Sequence, residues 1–190
     1  PPGTYTIRMT ADGRARTTQL EVRANPWITD VTVADMHEQY AFGREIQAKV
    51  REANSAVIAI RRAKIQLTDR LAQSDDPSLA AVGERLEMNA SEVEANIYQV
   101  RNRSNQDPLN FPIKVNNRIA NLLSMLESGD GAPNDGMREV FDIMVAELAG
   151  YTERLQEVWD TDLAAVNAEL ERLGLDPLDP MDESTLLITQ

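Results

Sequence analysis

The chain is 190 residues long, has no cysteine and carries a formal charge of −12. That length holds one domain, or one domain and a fragment, and the missing thiols exclude disulfides and thiolate metal sites. No apolar run approaches the ~20 residues of a membrane span, and an acidic balance is a poor match for nucleic acid or an anionic membrane, which need a basic footprint.

The charge is uneven. Residues 1–26 hold four Arg against Asp12 and Glu21, whereas fourteen acids face three Arg from Asp135 onward. The first segment is therefore basic, and the acidity is read as the solvated surface of the remaining residues. Leu, Ile, Val, Met and Ala dominate the apolar set, which suits packed helices better than a β-sandwich. The opening Pro-Pro-Gly, with neither Met nor a signal peptide, is expected of a processed fragment.

Thr4 to Thr10 alternates, with Tyr5, Ile7 and Met9 on one side. Asp12-Gly13 comes next, the strongest short-range hairpin signal when it lies between alternating runs. Thr17 to Arg23 is the return strand, with Thr18, Leu20 and Val22 on one face. A lone hairpin is marginal, so it is expected to rest on something or to close a larger β-module. Residues 1–26 form this segment.

The first helix is expected over about 32–73. Thr32 serves as N-cap and Asp35 as its reciprocal partner, with Val31 and Met36 placed for a hydrophobic staple. From Ile46 its apolar residues fall at Ile46, Val50, Ala53, Val57, Ile60, Leu67 and Leu71, steps of three and four that define a packing seam. Lys64 occupies the missing seam place and is expected to snorkel or to meet Glu147 or Glu157. Tyr40, Gly43 and Ile46 break the rhythm, so the first turns are expected to pack in another layer.

Asp76-Pro77 opens a second helix, about 77–104, with Leu79, Val82, Leu86, Ala90, Val93, Ile97 and Val100 inside and a solvated face from Glu84 to Glu94. A loop with two prolines leads to a third helix, about 113–128, striped by Val115, Ile119, Leu122 and Leu126, with Gly129 as its left-handed cap. Asn134 or Asp135 caps a fourth helix, about 135–173. Its stripe runs from Val140 or Phe141 through Met144, Leu148, Tyr151, Leu155, Trp159, Leu163, Val166 and Leu170 to Leu173, and Gly174-Leu175 is a Schellman ending.

Four helices on short loops predict a mainly α fold: a long antiparallel up-down-up-down four-helix bundle (27–175) behind an N-terminal hairpin. An even number of traverses would bring the tail, 176–190, back to the hairpin. The strand-like run 185–189 is therefore expected to add a third strand.

Residues with chemical potential are few. His37 is the single histidine, which excludes three- and four-ligand zinc sites and di-iron sites and leaves it a surface or cap residue. Gly129 to Gly136 has the Asp130 and Asp135 oxygens of a calcium loop, but not the alternating ligands or distal Glu of an EF-hand, and it reads as a helix connection. Asn116 and Asn117, with Lys114, read either as a small polar network inside the bundle or as plain surface, the network being favoured for Asn117. The Asn-x-Ser triplets at Asn89 and Asn102 fall on the second helix. No catalytic residues, metal or cofactor are expected, and no phosphate loop is present.

Three stretches together carry a resemblance: Pro2-Gly3-Thr4-Tyr5-Thr6-Ile7-Arg8 with its Asp-Gly turn; Pro112-Ile113-Lys114-Val115-Asn116-Asn117-Arg118-Ile119; and Ser128-Gly129-Asp130-Gly131-Ala132-Pro133. In this order the chain, over roughly residues 1–175, resembles the C-terminal region of bacterial secreted β-propeller proteins of the sortilin-like, Vps10-type or Asp-box-repeat kind, often labelled glycosyl hydrolases. The resemblance implies that the hairpin ends an Ig-like module, that the helices form a terminal bundle, and that the protein is exported to the periplasm or beyond. The propeller, and any hydrolase activity, belongs to a region absent here, since no Ser-x-Asp-x-Gly-x-x-Trp box occurs.

The expected function is a non-catalytic accessory domain. Its partners would be the upstream propeller and Ig-like domains, or a second copy joined through hairpin edges. The alternatives are a peptide- or glycan-binding groove beside the third helix at Lys114, Asn117 and Asp130, and a fragment of a parent hydrolase.

Overall fold

A computed structural model describes residues 1–104 and 106–185. Two strands, β1 (Gly3–Ala11) and β2 (Arg14–Val22), form an antiparallel hairpin. Ala11 pairs with Arg14 across the two-residue turn, where Asp12 and Gly13 take φ of 49° and 74°. Both residues are left-handed, as a turn matching strand twist requires, and an Asp-Gly pair tolerates this best.

Helix α1 spans Val33–Leu71, about 58 Å at 1.5 Å per residue. The expected capping box is present: Asp35 N donates to Thr32 Oγ1 at 3.2 Å, and Thr32 N donates to Asp35 Oδ2 at 2.7 Å. Ile46, Ala53, Val57, Ile60 and Leu67 are buried, with Val50 and Leu71 packed at the margin. Helix α2 is Pro77–Ile97, capped by Asp76; α3 is Val115–Leu126; α4 is Asp135–Val158, capped by Asn134. A π turn, Trp159–Leu163, joins α4 to α5 (Ala164–Leu173), so these form one continuous rod. Gly174 at φ 71° ends it, and Leu175 N donates back to Leu170 O at 2.9 Å, the Schellman bond expected there.

The class is the expected one, mainly helical with a two-stranded hairpin in front. The direction of travel is not a strict alternation. Arg61 meets Glu94 and Lys64 meets Ser91, so α2 descends along the second half of α1. Asn54 meets Asn116, and Gly43 faces Leu123 and Leu126, so α3 continues the descent along the first half. The α4–α5 rod then runs parallel to α1: Phe42 meets Phe141 edge-on at 5.2 Å near one end, and Arg172 reaches Asp76 at 2.7 Å near the other.

Length is the physical reason. The 21 residues of α2 cover about 31 Å and the 12 of α3 about 18 Å, so only the two in series can line a seam of about 58 Å. Every cross-section therefore holds three helices.

Helix α2 stops at Ile97, short of 104, because Tyr98 is extended, and Val100 is exposed rather than inside. The break contains a 3₁₀ turn, Asp107–Leu109. Gln99 spans it: its Nε2 donates to Pro112 O at 2.8 Å and its Oε1 accepts from Arg101 N at 3.3 Å. Gly129 is not left-handed. Helix α3 ends at Leu126 with Glu127 as its cap, and the Gln39 amide from α1 donates to Leu126 O and Gly129 O, satisfying at Leu126 a carbonyl that a glycine cap would have served.

An odd number of traverses leaves the tail at the end away from the hairpin. Two amide side chains hold it as a backbone would. Gln66 accepts from Asp179 N (2.7 Å) and donates to Asp179 O (2.9 Å), and Asn167 accepts from Leu178 N (2.8 Å) and donates to Leu178 O (3.1 Å). Leu178 is buried beneath them. The premise for a third strand, a tail lying beside the hairpin, does not hold for residues 176–185; the run 186–190 lies outside the described residues.

Leu148 is fully buried in α4. Leu148→Ala is expected to lower unfolding free energy by about 2–5 kcal/mol in denaturant melts; an unchanged midpoint would show that the seam of α4 is placed wrongly.

Candidate functional site

Three places merit chemical scrutiny. The first lies where the hairpin meets the bundle. An open cleft of about 440 Å³ is floored by Met36, Gly43 and Leu126, flanked by Tyr40 and Val22, and rimmed by Arg23, Arg44, Glu127 and Asp130. Gly43 is buried because a Cβ there would already touch Leu123 and Leu126 at 3.5 Å, so α3 approaches α1 closely. Tyr40, which breaks the α1 rhythm, is half exposed and lines this cleft.

The second place is the α1–α2 contact. Glu94 is buried, although it lies in a stretch expected to be a solvated face. Its carboxylate accepts from Arg61 Nε at 2.7 Å and from Lys64 Nζ at 3.3 Å, and Lys64 also donates to Ser91 at 2.9 Å. Lys64 therefore finds its acid on α2, not at Glu147 or Glu157. Because α2 descends beside this half of α1, it supplies the nearer carboxylate. Glu147 instead pairs with Arg118 of α3 and accepts from Tyr151 at 3.2 Å. Burial first, and then the Glu147 charge, raise the Tyr151 hydroxyl above its ordinary value.

The third place is the π turn. Asp162 lies buried within that turn and accepts from Arg85 Nε and Asn89 Nδ2, both at 2.7 Å. π turns recur at functional sites, but neither Asp162 nor Glu94 lines the cleft at the hairpin base. A general base must reach a substrate proton. These two carboxylates instead have their oxygens engaged by donors from neighbouring helices, so they join α2 to its two neighbours.

The anticipated binding residues are spread along α3. Lys114 is the residue before its first turn and makes no capping bond through its side chain. Asn117 is half-buried, and its neighbour Asn116 is the buried one, donating to Asn54 Oδ1 at 3.4 Å and accepting from Asn117 N at 2.7 Å. The network thus centres on Asn116, because the α3 seam of Val115 and Ile119 carries Asn116 inward with it. Asp130 is beyond the other end of α3 and is the one member on the cleft rim. With about 18 Å of helix between them, Lys114 and Asp130 do not converge. His37 is exposed, Asn89 lies on α2 and Asn102 in the loop after it. Among the described residues no group of three or more His, Cys, Asp or Glu side chains is gathered as metal ligands would be.

Sequence reading named Asn116 but favoured Asn117 for the network, and it missed Glu94, Asp162 and Tyr40 as the polar and cleft-facing members. Asp162 had a readable signal, since it stands four residues from both Val158 and Val166 on the buried side. Compared with known families, curated proteins and solved structures, the chain matches none.

Helix ends carry the clearest pH dependence. Asp76 is held below its usual 3.8, first by the Arg172 hydrogen bond and then by the backbone N–H of Leu79. A depressed folded value means the stabilisation is complete above 3.8 and fades as pH falls below it. Asp76→Asn is expected to lower the thermal midpoint at pH 7, with the gap to the native chain closing as pH falls below 3.8; a constant gap would show that the carboxylate charge is not the cause. Glu94→Ala leaves Lys64 and Arg61 without their acceptor and is expected to cost about 1–3 kcal/mol in denaturant melts; no loss would remove the α1–α2 tie from the stability of the rod.

Proposed function

We propose that this chain is a non-catalytic accessory module of a larger secreted protein of the β-propeller type it resembles, working through contact rather than chemistry. One observation carries the reading: both nine-residue strands of the hairpin are exposed along their whole length. An isolated hairpin gains little stability of its own, and an uncovered apolar strip beside a well-packed bundle is a contact surface. The bundle contributes rigidity. Its buried polar residues Gln66, Glu94, Gln99, Asn116 and Asp162 are each engaged by a partner from another segment, so none is free for a substrate.

The cleft at the hairpin base favours a second reading, a binding module for an extended peptide or a glycan. It is concave and apolar-floored, with Tyr40 and Asp130 at its edge, features that small binding sites share.

Turnover separates contact from chemistry. The 190 residues and the longer native polypeptide containing them would be assayed side by side on aryl glycosides and polysaccharides. Turnover by the longer polypeptide alone is expected, and turnover by the 190 residues would overturn the reading. For the second reading, saturable perturbation of Tyr40 fluorescence by an oligosaccharide or peptide panel, lost in Tyr40→Ala, is the supporting result.

A further inference from the structure

The hairpin register places opposite residues on one face. Tyr5 lies opposite Leu20, Ile7 opposite Thr18, Met9 opposite Arg16 and Gly3 opposite Val22. Tyr5, Ile7, Met9, Leu20 and Val22 therefore share one side, and each is between 39% and 63% exposed. Arg14, opposite Ala11, and Arg16 give this face a cationic end.

A second uncovered apolar surface is on α4. Val140 and Ile143 are 44% and 60% exposed, turned out of the seam that Phe141, Met144 and Leu148 bury. A Cβ added to Gly150, two turns beyond Ile143, would meet nothing within 4 Å, so this side is flat and open. Glu139 and Asp142 flank it. Neither they nor Arg14 and Arg16 form an ion pair among the described residues.

We propose that these two surfaces cover each other between two copies of the chain, the apolar hairpin face of each copy packing on the outer side of α4 of the other. This rests on reading the hairpin as the contact element and names its partner. Charge selects the occupant: one surface is apolar with two free guanidinium groups, the other apolar with two free carboxylates. Hairpin-to-hairpin pairing would instead join two segments that are both net basic. Position allows the exchange, because Arg138 of α4 pairs with Glu38 near the start of α1, on the side of the bundle from which the hairpin projects. A nine-residue hairpin face measures about 30 by 10 Å. Two reciprocal contacts, each covering both surfaces, bury about 1,200 Å², the lower bound of a specific interface, and a two-fold axis closes the pair.

Charge reversal of exposed residues tests this without touching the core. The full chain is expected to sediment as a dimer. R14E/R16E and E139K/D142K are each expected to weaken the dimer at least about tenfold, with unchanged far-ultraviolet circular dichroism. An equimolar mixture of the two variants is expected to restore a mixed dimer, because both of its contacts regain opposite charges. A monomeric native chain at high concentration would overturn the proposal, as would open-ended oligomers or a dimer indifferent to E139K/D142K. None of these outcomes would bear on the non-catalytic reading, which turnover decides.

Discussion

A 39-residue helix offers a continuous apolar side about 58 Å long, and water must be kept from all of it. No other single helix before the α4–α5 rod can do so. The fold follows from this mismatch of lengths. Two shorter helices are laid end to end along α1, with the break between them bridged by Gln99, and one long rod returns in the direction of α1. Parallel neighbours set like helix ends side by side, a cost of some tenths of a kcal/mol. The Arg172–Asp76 pair offsets part of it, placing a cation in the last turn of α5 against the anionic N-cap of α2.

Polar groups inside the rod serve register. Apolar stripes alone permit neighbouring helices to slide by a turn. Glu94 fixes α2 against α1 through Arg61 and Lys64, Asp162 fixes it against the last rod through Arg85 and Asn89, and Asn116 fixes α3 against α1 through Asn54. Each tie would be broken by a one-turn slip, and a carboxylate stripped of its donors in the interior is costly. The π turn belongs to the same scheme, since Asp162 lies within it.

What was legible in the sequence was local. Thr32 with Asp35, Asp12-Gly13, Asp76-Pro77 and Gly174-Leu175 each specify their geometry within five residues, and each forms as expected. The α1 stripe was legible because burial repeats with the helix period. What depended on distant neighbours was not. The partner of Lys64 follows from which helix lies beside that half of α1, and a short third helix is equally compatible with turning back or carrying on. Gly129 could have ended α3, but the Gln39 amide, some ninety residues away in sequence, supplies the donors. Asn116 and Asn117 differ only in which way α3 is rotated, and adjacent residues point about 100° apart.

The three-traverse path has a mechanical corollary. The hairpin is joined at one pole of the rod, and the segment clasped by Gln66 and Asn167 leaves at the other. Tension applied between these poles would act along the helix axes and would reach the C-terminal segment as shear on the Gln66 and Asn167 amide hydrogen bonds and on the Arg70 bond to Asp176 O. A strict alternation would have put the hairpin and this segment at one pole; this connectivity sets them at opposite poles, separated by the length of the rod.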